Sequence, residues 1–325
     1  MTIRIGLLGA SRIARGAVIA PAGDNPDFVV TAVAARDPER ARGYAAEHGV
    51  PFVSDDYEAL VRRDDIDLVY NALPPAGHKR WTIAALEAGK HVLCEKPFAR
   101  NAGEAREMVE AADAAGRVLI EAFHYRFHNV VRAAVALVRE GALGEVQSAE
   151  ARFEAPIPRS PGELRWSPEQ GGGALMDLGC YPIHALRSLV GEPRVTAATG
   201  VFEGGVDASM TAEFAFGGGA RGRIACSMIS AGFDAVLSVV GARGTLEVVN
   251  FLAPQSPRLP CRFTTVIDGV RRDHATDGPS TYAAQLAHVA EVLAGRATAL
   301  TGGQDAIANM TAIDAVWAAA GRSKA

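Results

Sequence analysis

The sequence predicts two domains: an α/β domain on a parallel sheet over residues 1–122, and an α+β domain with a largely antiparallel, open-faced sheet over residues 123–325. Three observations carry this expectation. In the first third, short apolar strands alternate with helices of a length suited to βαβ units. After Ala122 the apolar pattern changes to a period of two. Two helices with apolar stripes then close the chain.

Ile3–Leu8 is a short apolar strand, and Ser11–Ala22 reads as a helix. Phe28–Ala35 is β-branched and apolar, and Pro38–His48 is helical. Asp67–Ala72, His91–Cys94 and Val118–Glu121 give further strands, with helical stretches Gly77–Ala88 and Asn101–Ala115 between them. Their near-continuous apolar character fits burial on both faces.

In the second half a helix is expected over Asn129–Glu140 and a strand over Glu145–Phe153. Val206–Phe216 sets Val206, Ala208, Met210, Ala212, Phe214 and Phe216 on one side and Asp207, Ser209, Thr211 and Glu213 on the other. Arg221–Ser227, Ala235–Val240 and Gly244–Val249 continue the pattern between glycine turns. Tyr282, Leu286, Val289 and Leu293 stripe the first closing helix; Ile307, Met310, Ile313 and Trp317 stripe the second. Core packing explains both stripes. So few helices leave one sheet face uncovered, and a homodimer or homotetramer with a two-fold interface is expected.

Bulk composition narrows the function. Of 325 residues, 49% are hydrophobic and 22% charged, with a formal net charge of −4, an ordinary globular balance. Neither sign of charge forms a long block, so neither a nucleic acid nor a membrane surface is an expected partner. No apolar run approaches the ~20 residues that span a bilayer. Cys94, Cys180, Cys226 and Cys261 form no C-x-x-C pair and, with no secretory signal at the start, read as reduced thiols. A cytoplasmic protein is expected.

Gly9-Ala10-Ser11-Arg12-Ile13-Ala14 follows the first strand and opens the first helix. Against the dinucleotide fingerprint G-x-G-x-x-G/A, Gly9 holds the first position, Ser11 replaces the second glycine and Ala14 takes the third. Gly9 permits the tight turn, a small Ser11 lets backbone approach a pyrophosphate, and the helix N-terminus offers free N–H groups to phosphate. This placement makes residues 1–122 an NAD(P)-binding Rossmann domain. The second strand ends Ala35-Arg36-Asp37-Pro38. An acid here suits the ribose 2′-hydroxyl of NAD, and an arginine suits a 2′-phosphate. Asp37 before Pro38 also matches a helix N-cap. We assign the cap to Asp37 and the phosphate to Arg36, which favours NADP while leaving NAD possible; a merely solvated Arg36 is the competing reading.

His91-Val92-Leu93-Cys94-Glu95-Lys96-Pro97 runs a buried-looking strand into a charged pair and a proline, at the sheet edge where such folds place their sites. A surface Glu–Lys pair beside a turn is the alternative. Together with Leu86-Glu87-Ala88-Gly89-Lys90 before it, this segment resembles the hallmark of the Gfo/Idh/MocA oxidoreductases, the glucose–fructose oxidoreductase and inositol dehydrogenase superfamily. Gly171-Gly172-Gly173-Ala174-Leu175-Met176-Asp177-Leu178-Gly179-Cys180-Tyr181 resembles that family's catalytic helix. Ala35-Arg36-Asp37 and Glu121-Ala122-Phe123-His124-Tyr125-Arg126-Phe127-His128 are similar to the branch containing dimeric dihydrodiol dehydrogenase and NADP-dependent D-xylose 1-dehydrogenase.

The resemblance implies roles position by position. Lys96 matches the catalytic lysine, touching both substrate and cofactor, and its bond to Pro97 is expected to be cis. Asp177 matches the acid of the catalytic helix, and Tyr181, one α-helical turn on, the proton-transfer tyrosine. A buried core aromatic is the other reading of Tyr181. Gly9, Ser11, Arg12, Ile13, Arg36, Leu73, Pro74, His78, Glu95 and Lys96 are the expected cofactor residues, although a capping or surface role competes for His78. Lys96, Tyr125, Arg165, Asp177 and Tyr181 are the expected substrate residues, with His124, Arg126, His128, Trp166 and His184 near them. His124 and His128 stand four apart, but no third ligand has telling spacing, so no metal is assigned.

The implied chemistry is hydride transfer between a nicotinamide and a sugar, keto-sugar or cyclic polyol. A free tyrosine titrates near ~10, and a nearby ammonium stabilises its phenolate. Asp177 would keep Lys96 charged and aimed. Competing readings are a dehydrogenase of non-sugar diols or carbonyls and a non-catalytic NADP-binding regulator, for which a lysine–tyrosine–aspartate set has no use.

Overall fold

The protein is described by a computed structural model at residues 2–257 and 259–321. The chain folds into two compact units: Met1–Phe123 with Tyr282–Ile307, and His124–Thr281 with Ala308–Ala325.

In the first unit the strands are β1 (Ile3–Leu8), β2 (Phe28–Ala34), β3 (Phe52–Val53), β4 (Leu68–Asn71), β5 (His91–Cys94) and β6 (Leu119–Glu121). They form one parallel sheet in the order β3-β2-β1-β4-β5-β6. Ile5, Leu7, Val33, Leu68, Leu93 and Ile120 are buried in its core, as apolar strands covered on both faces require. The helices are α1 (residues 12–23), α2 (Pro38–His48), α3 (Tyr57–Val61), α4 (Pro75–Glu87) and α5 (Ala102–Ala115). Helix α1 contains a π-helical turn, Arg15–Ile19. Asn101 caps α5 by accepting from Glu104 N–H, and Gly116 ends it at φ 61°, left-handed backbone that costs glycine little.

One boundary differs from the expectation. Tyr282–Ile307, expected within 123–325, groups with the first unit. The reason is packing: Leu286, Val289 and Ala290 are buried in the cluster that holds Ile5, Leu7, Leu93 and Ile120. The hydroxyl of Thr301 also donates to the carbonyl of Glu121 (2.6 Å).

In the second unit, β7 (Val146–Glu154), β8 (Arg194–Glu203), β9 (Val206–Ala215), β10 (Arg221–Ser227), β11 (Asp234–Gly241), β12 (Gly244–Val249), β13 (Arg262–Ile267) and β14 (Val270–His274) form an eight-stranded sheet. Its order is β14-β13-β12-β11-β7-β10-β9-β8, antiparallel except between β7 and β10. Helices α6 (Asn129–Arg139) and α7 (Cys180–Val190) belong to this unit. The closing helices, α8 (Thr281–Leu293) and α9 (Gln304–Ala319), are each divided by the unit boundary. The alternation of β9 holds, with one exception: Asp207, placed by its period on the open side, is fully buried. The open face carries Glu150, Arg152, Thr211, Arg223, Val236 and Ser238, all partly or fully exposed. Among the described residues no helix is long and apolar enough to cross a membrane.

Candidate functional site

In the first unit, the register sets Leu8 opposite both Ala34 and Asn71, and Asn71 opposite Cys94. The loops carrying Gly9, Arg36, Leu73 and Lys96 therefore leave one edge of the sheet, the carboxyl edge, side by side. Gly9 sits at φ 93°. A Cβ added there would meet Leu73 Cδ2 at 3.2 Å and the Ala72 carbonyl at 3.5 Å, so this cradle admits only glycine. Ser11 caps α1, its hydroxyl accepting from Ala14 N–H (3.3 Å). Arg12 and Ile13 follow on the surface; Ile13 is 41% exposed, a large apolar side chain open at the helix start. Arg36 is exposed beyond β2, whereas Asp37 caps α2 by accepting from Glu39 N–H (3.0 Å). These features fit a dinucleotide: a glycine-only turn, a helix start and a cation at the end of β2.

The lysine turn is built from inside. Glu95 is buried, and its carboxylate accepts from the Tyr70 hydroxyl (2.6 Å) and from Lys96 N–H (3.2 Å). The surface Glu–Lys pair is thereby set aside. The Glu95 carboxylate thus supports the lysine turn. Phe98 N–H donates to the buried Glu121 (3.0 Å). The Lys96–Pro97 bond is cis, and Lys96 is half-buried.

His78 reaches the same turn. It is fully buried, with Nε2 2.7 Å from the Leu73 carbonyl and Nδ1 3.0 Å from that of Pro97. Burial, above all, holds its pKa below the ordinary histidine value. The ring is a brace between the Leu73 loop and the lysine turn. Leu73 and Pro74 remain half-buried, Pro74 directly before α4. Tyr70 and Glu121 escaped sequence reasoning; the available signal was a polar residue within a short apolar strand.

In the second unit, Asp177 lies in a π-helical turn, Leu175–Gly179, that leads into α7. Such turns recur at functional sites. Buried Asp207 fastens this segment: its carboxylate accepts from Leu175 N–H (2.6 Å) and lies 3.3 Å from Trp317 Nε1. Gly179 lets the turn approach β10, because a Cβ there would stand 2.9 Å from Cys226 Sγ. Arg165 Nε donates to Asp177 (2.7 Å), and Asp177 foremost raises the arginine's pKa.

Tyr181 is 5% exposed, with its hydroxyl 3.2 Å from His124 Nε2. His124 Nδ1 lies 2.8 Å from the Thr281 hydroxyl. Tyr125 is fully buried, its hydroxyl 2.6 Å from His184 Nδ1 and its ring edge-on to that of Tyr181. His128 caps α6 rather than joining His124, since its Nδ1 accepts from Val130 N–H. Arg126 is half-buried, and Trp166 Nε1 donates to the Ile157 carbonyl (3.1 Å).

Two family models match the chain: an oxidoreductase family with an NAD-binding Rossmann fold over residues 3–123, and the GFO/IDH/MocA C-terminal domain over residues 131–247. The chain is 33% identical over 321 residues to a D-xylose 1-dehydrogenase (NADP(+)) of Haloferax volcanii, covering 97% of this chain and 96% of that one. It is 37% identical over 224 residues to trans-1,2-dihydrobenzene-1,2-diol dehydrogenase of Oryctolagus cuniculus, covering 68% and 67% of the two chains. Among solved structures, the aldose-aldose oxidoreductase of Caulobacter crescentus, complexed with glycerol, superposes with a TM-score of 0.89 over 98% of both chains at 26% identity. The parallel sheet with its glycine turn and lysine loop, the mostly antiparallel second sheet and a likeness spanning the whole length agree: the chain belongs to the GFO/IDH/MocA oxidoreductase family.

Proposed function

We propose that this protein is an NADP-preferring oxidoreductase that moves a hydride between the nicotinamide and a sugar, keto-sugar or cyclic polyol. One observation carries the reading: the glycine-only turn at Gly9 and the braced turn of Lys96 leave the same edge of one sheet, which suits a dinucleotide whose reacting end meets a lysine. The relatives support the substrate class, since one is named for xylose and NADP and another for aldoses.

Gly9, Ser11, Arg12 and Ile13 hold the pyrophosphate end, Arg36 takes the 2′-phosphate, and Leu73 and Pro74 contact the cofactor along its length. A bound nicotinamide supplies the two-electron acceptor or donor. Lys96 hydrogen-bonds the reacting oxygen and, as an ammonium, favours the phenolate form of Tyr181. Tyr181 takes the hydroxyl proton during oxidation and returns it during reduction. Asp177, held by Arg165, orients these groups. We further propose a homodimer or homotetramer formed through the open sheet face, in the cytoplasm. A second reading, oxidation of a non-sugar diol, rests on the likeness to the dihydrodiol dehydrogenase.

The test is to incubate the protein with NADP and a panel of aldoses, polyols and trans-dihydrodiols while following reduced-cofactor absorbance. Turnover of sugars is expected. A panel that stays silent alongside tight NADP binding points instead to a dinucleotide-binding regulator.

A further inference from the structure

The environment of the Tyr181 hydroxyl holds more than proton transfer by a lone tyrosine requires. His124 is 7% exposed and bridges two hydroxyls, with Nε2 3.2 Å from Tyr181 and Nδ1 2.8 Å from Thr281. Gln255 Nε2 reaches the same Thr281 oxygen at 3.5 Å. The tyrosine ring is set edge-on against His124, Tyr125 and Phe153, and Tyr125 is itself tied to His184. These contacts fix where the phenolic oxygen points. Packing alone would be met by an apolar side chain in place of His124; a buried imidazole between two hydroxyls is a proton-conducting arrangement.

A neutral imidazole offers one N–H and one lone pair. The phenol is the stronger acid of the two hydroxyls, so its proton matches the lone pair, leaving the N–H for Thr281. This places the lone pair on Nε2, facing Tyr181. From this geometry we infer that His124 is a proton relay that acts through Tyr181, a positioning residue for the proton and not a group that touches substrate. The inference rests on the oxidoreductase reading.

During oxidation the hydroxyl hydrogen of Tyr181 passes first to His124 Nε2, leaving the phenolate, and the substrate O–H bond then breaks as its proton joins Tyr181 Oη. The C–H electron pair leaves as hydride to the oxidised nicotinamide, so the carbonyl product, reduced cofactor and an imidazolium balance the step. The imidazolium then loses its proton to solvent, and reduction runs the transfers in reverse. The charged side chains nearest along the helical segment are Asp177 and its partner Arg165; the titratable groups in contact with the tyrosine include His124, Tyr125 and, through Tyr125, His184.

Two measurements test the relay. Nitrogen-15 NMR of the parent protein without substrate, with His124→Gln assigning the signal, should find His124 as the Nδ1–H tautomer, its Nε2 unprotonated. The opposite tautomer overturns the inference whether or not any sugar is turned over. In steady-state kinetics, His124→Ala should lower kcat by about 10- to 10²-fold with little change in the KM for sugar, and added imidazole should restore the rate in proportion to its concentration. His124→Gln can still hydrogen-bond Tyr181 but has no basic nitrogen, so it should be as slow as His124→Ala. Full activity in His124→Gln, or loss without imidazole rescue, overturns the relay. A parent inactive on every substrate condemns the proposed function instead, and the tautomer still decides the relay.

Discussion

Arg165 reaches twelve residues along the chain to place Nε 2.7 Å from an Asp177 oxygen, while its NH1 lies 3.0 Å from Glu163. The acid of the π-helical turn therefore has a fixed cation within its own unit, and its carboxylate direction depends on that cation. Arg165→Met should lower kcat/KM by about tenfold, roughly the value of a hydrogen bond between charged groups, and leave NADP affinity unchanged. Asp177→Asn should do similar harm. Because the two side chains act as one unit, the double variant should be little worse than either single, a coupling that a double-mutant cycle in kcat/KM measures directly.

Cofactor choice turns on Arg36. With Asp37 committed to the cap of α2, the end of β2 offers an exposed cation and no competing free acid at that position. Calorimetric titration should show tighter binding of NADP than of NAD, and Arg36→Ala should remove most of the difference, about 10- to 10²-fold. Equal affinities in the parent would reassign Arg36 to the solvated surface.

The first sheet was legible because buried parallel strands leave near-continuous apolar runs, as in Ile3–Leu8 and His91–Cys94. β3, with only two residues, left no pattern, and α3 is barely longer than a turn. The edge strands β8 and β14 escaped for a different reason: both are exposed along most of their length, so no apolar alternation exists to be read. Periodicity told that Leu286 and Val289 face a core but not which one, since a stripe carries no address. At the site, Gly9 and Asp37 were readable from local backbone chemistry, and Lys96 from the family resemblance of its motif. The full burial of His78 and Tyr125 was not readable, because motif position says nothing of burial, and the approach of His124 to Tyr181 joins residues 57 apart in sequence.

The proposed assembly uses the open face of the second sheet. Thr211, Arg223, Val236 and Ser238 lie on it among Glu150 and Arg152, a mixture of small, apolar and paired charged groups suited to a self-complementary interface. Light scattering at micromolar concentration should report a dimer or tetramer. Val236→Glu combined with Thr211→Arg should shift it toward monomer while circular dichroism stays unchanged. A parent that scatters as a monomer removes this interface.

The oxidoreductase reading stands or falls with Lys96 and Tyr181. Lys96 is half-buried on a turn braced by Glu95, Glu121 and His78, so replacing its side chain leaves the brace intact. Lys96→Met should therefore fold normally, bind NADP nearly as the parent does, and lose turnover. Tyr181→Phe removes only the hydroxyl and keeps the edge-on ring contacts with Tyr125 and Phe153. It should lower kcat by about 10²–10⁴-fold, the usual worth of a positioned acid–base group, with an unchanged melting profile. A dinucleotide-binding regulator predicts that both variants bind NADP and behave as the parent in every other respect. Near-normal dehydrogenase activity in Lys96→Met would refute the roles proposed for both residues.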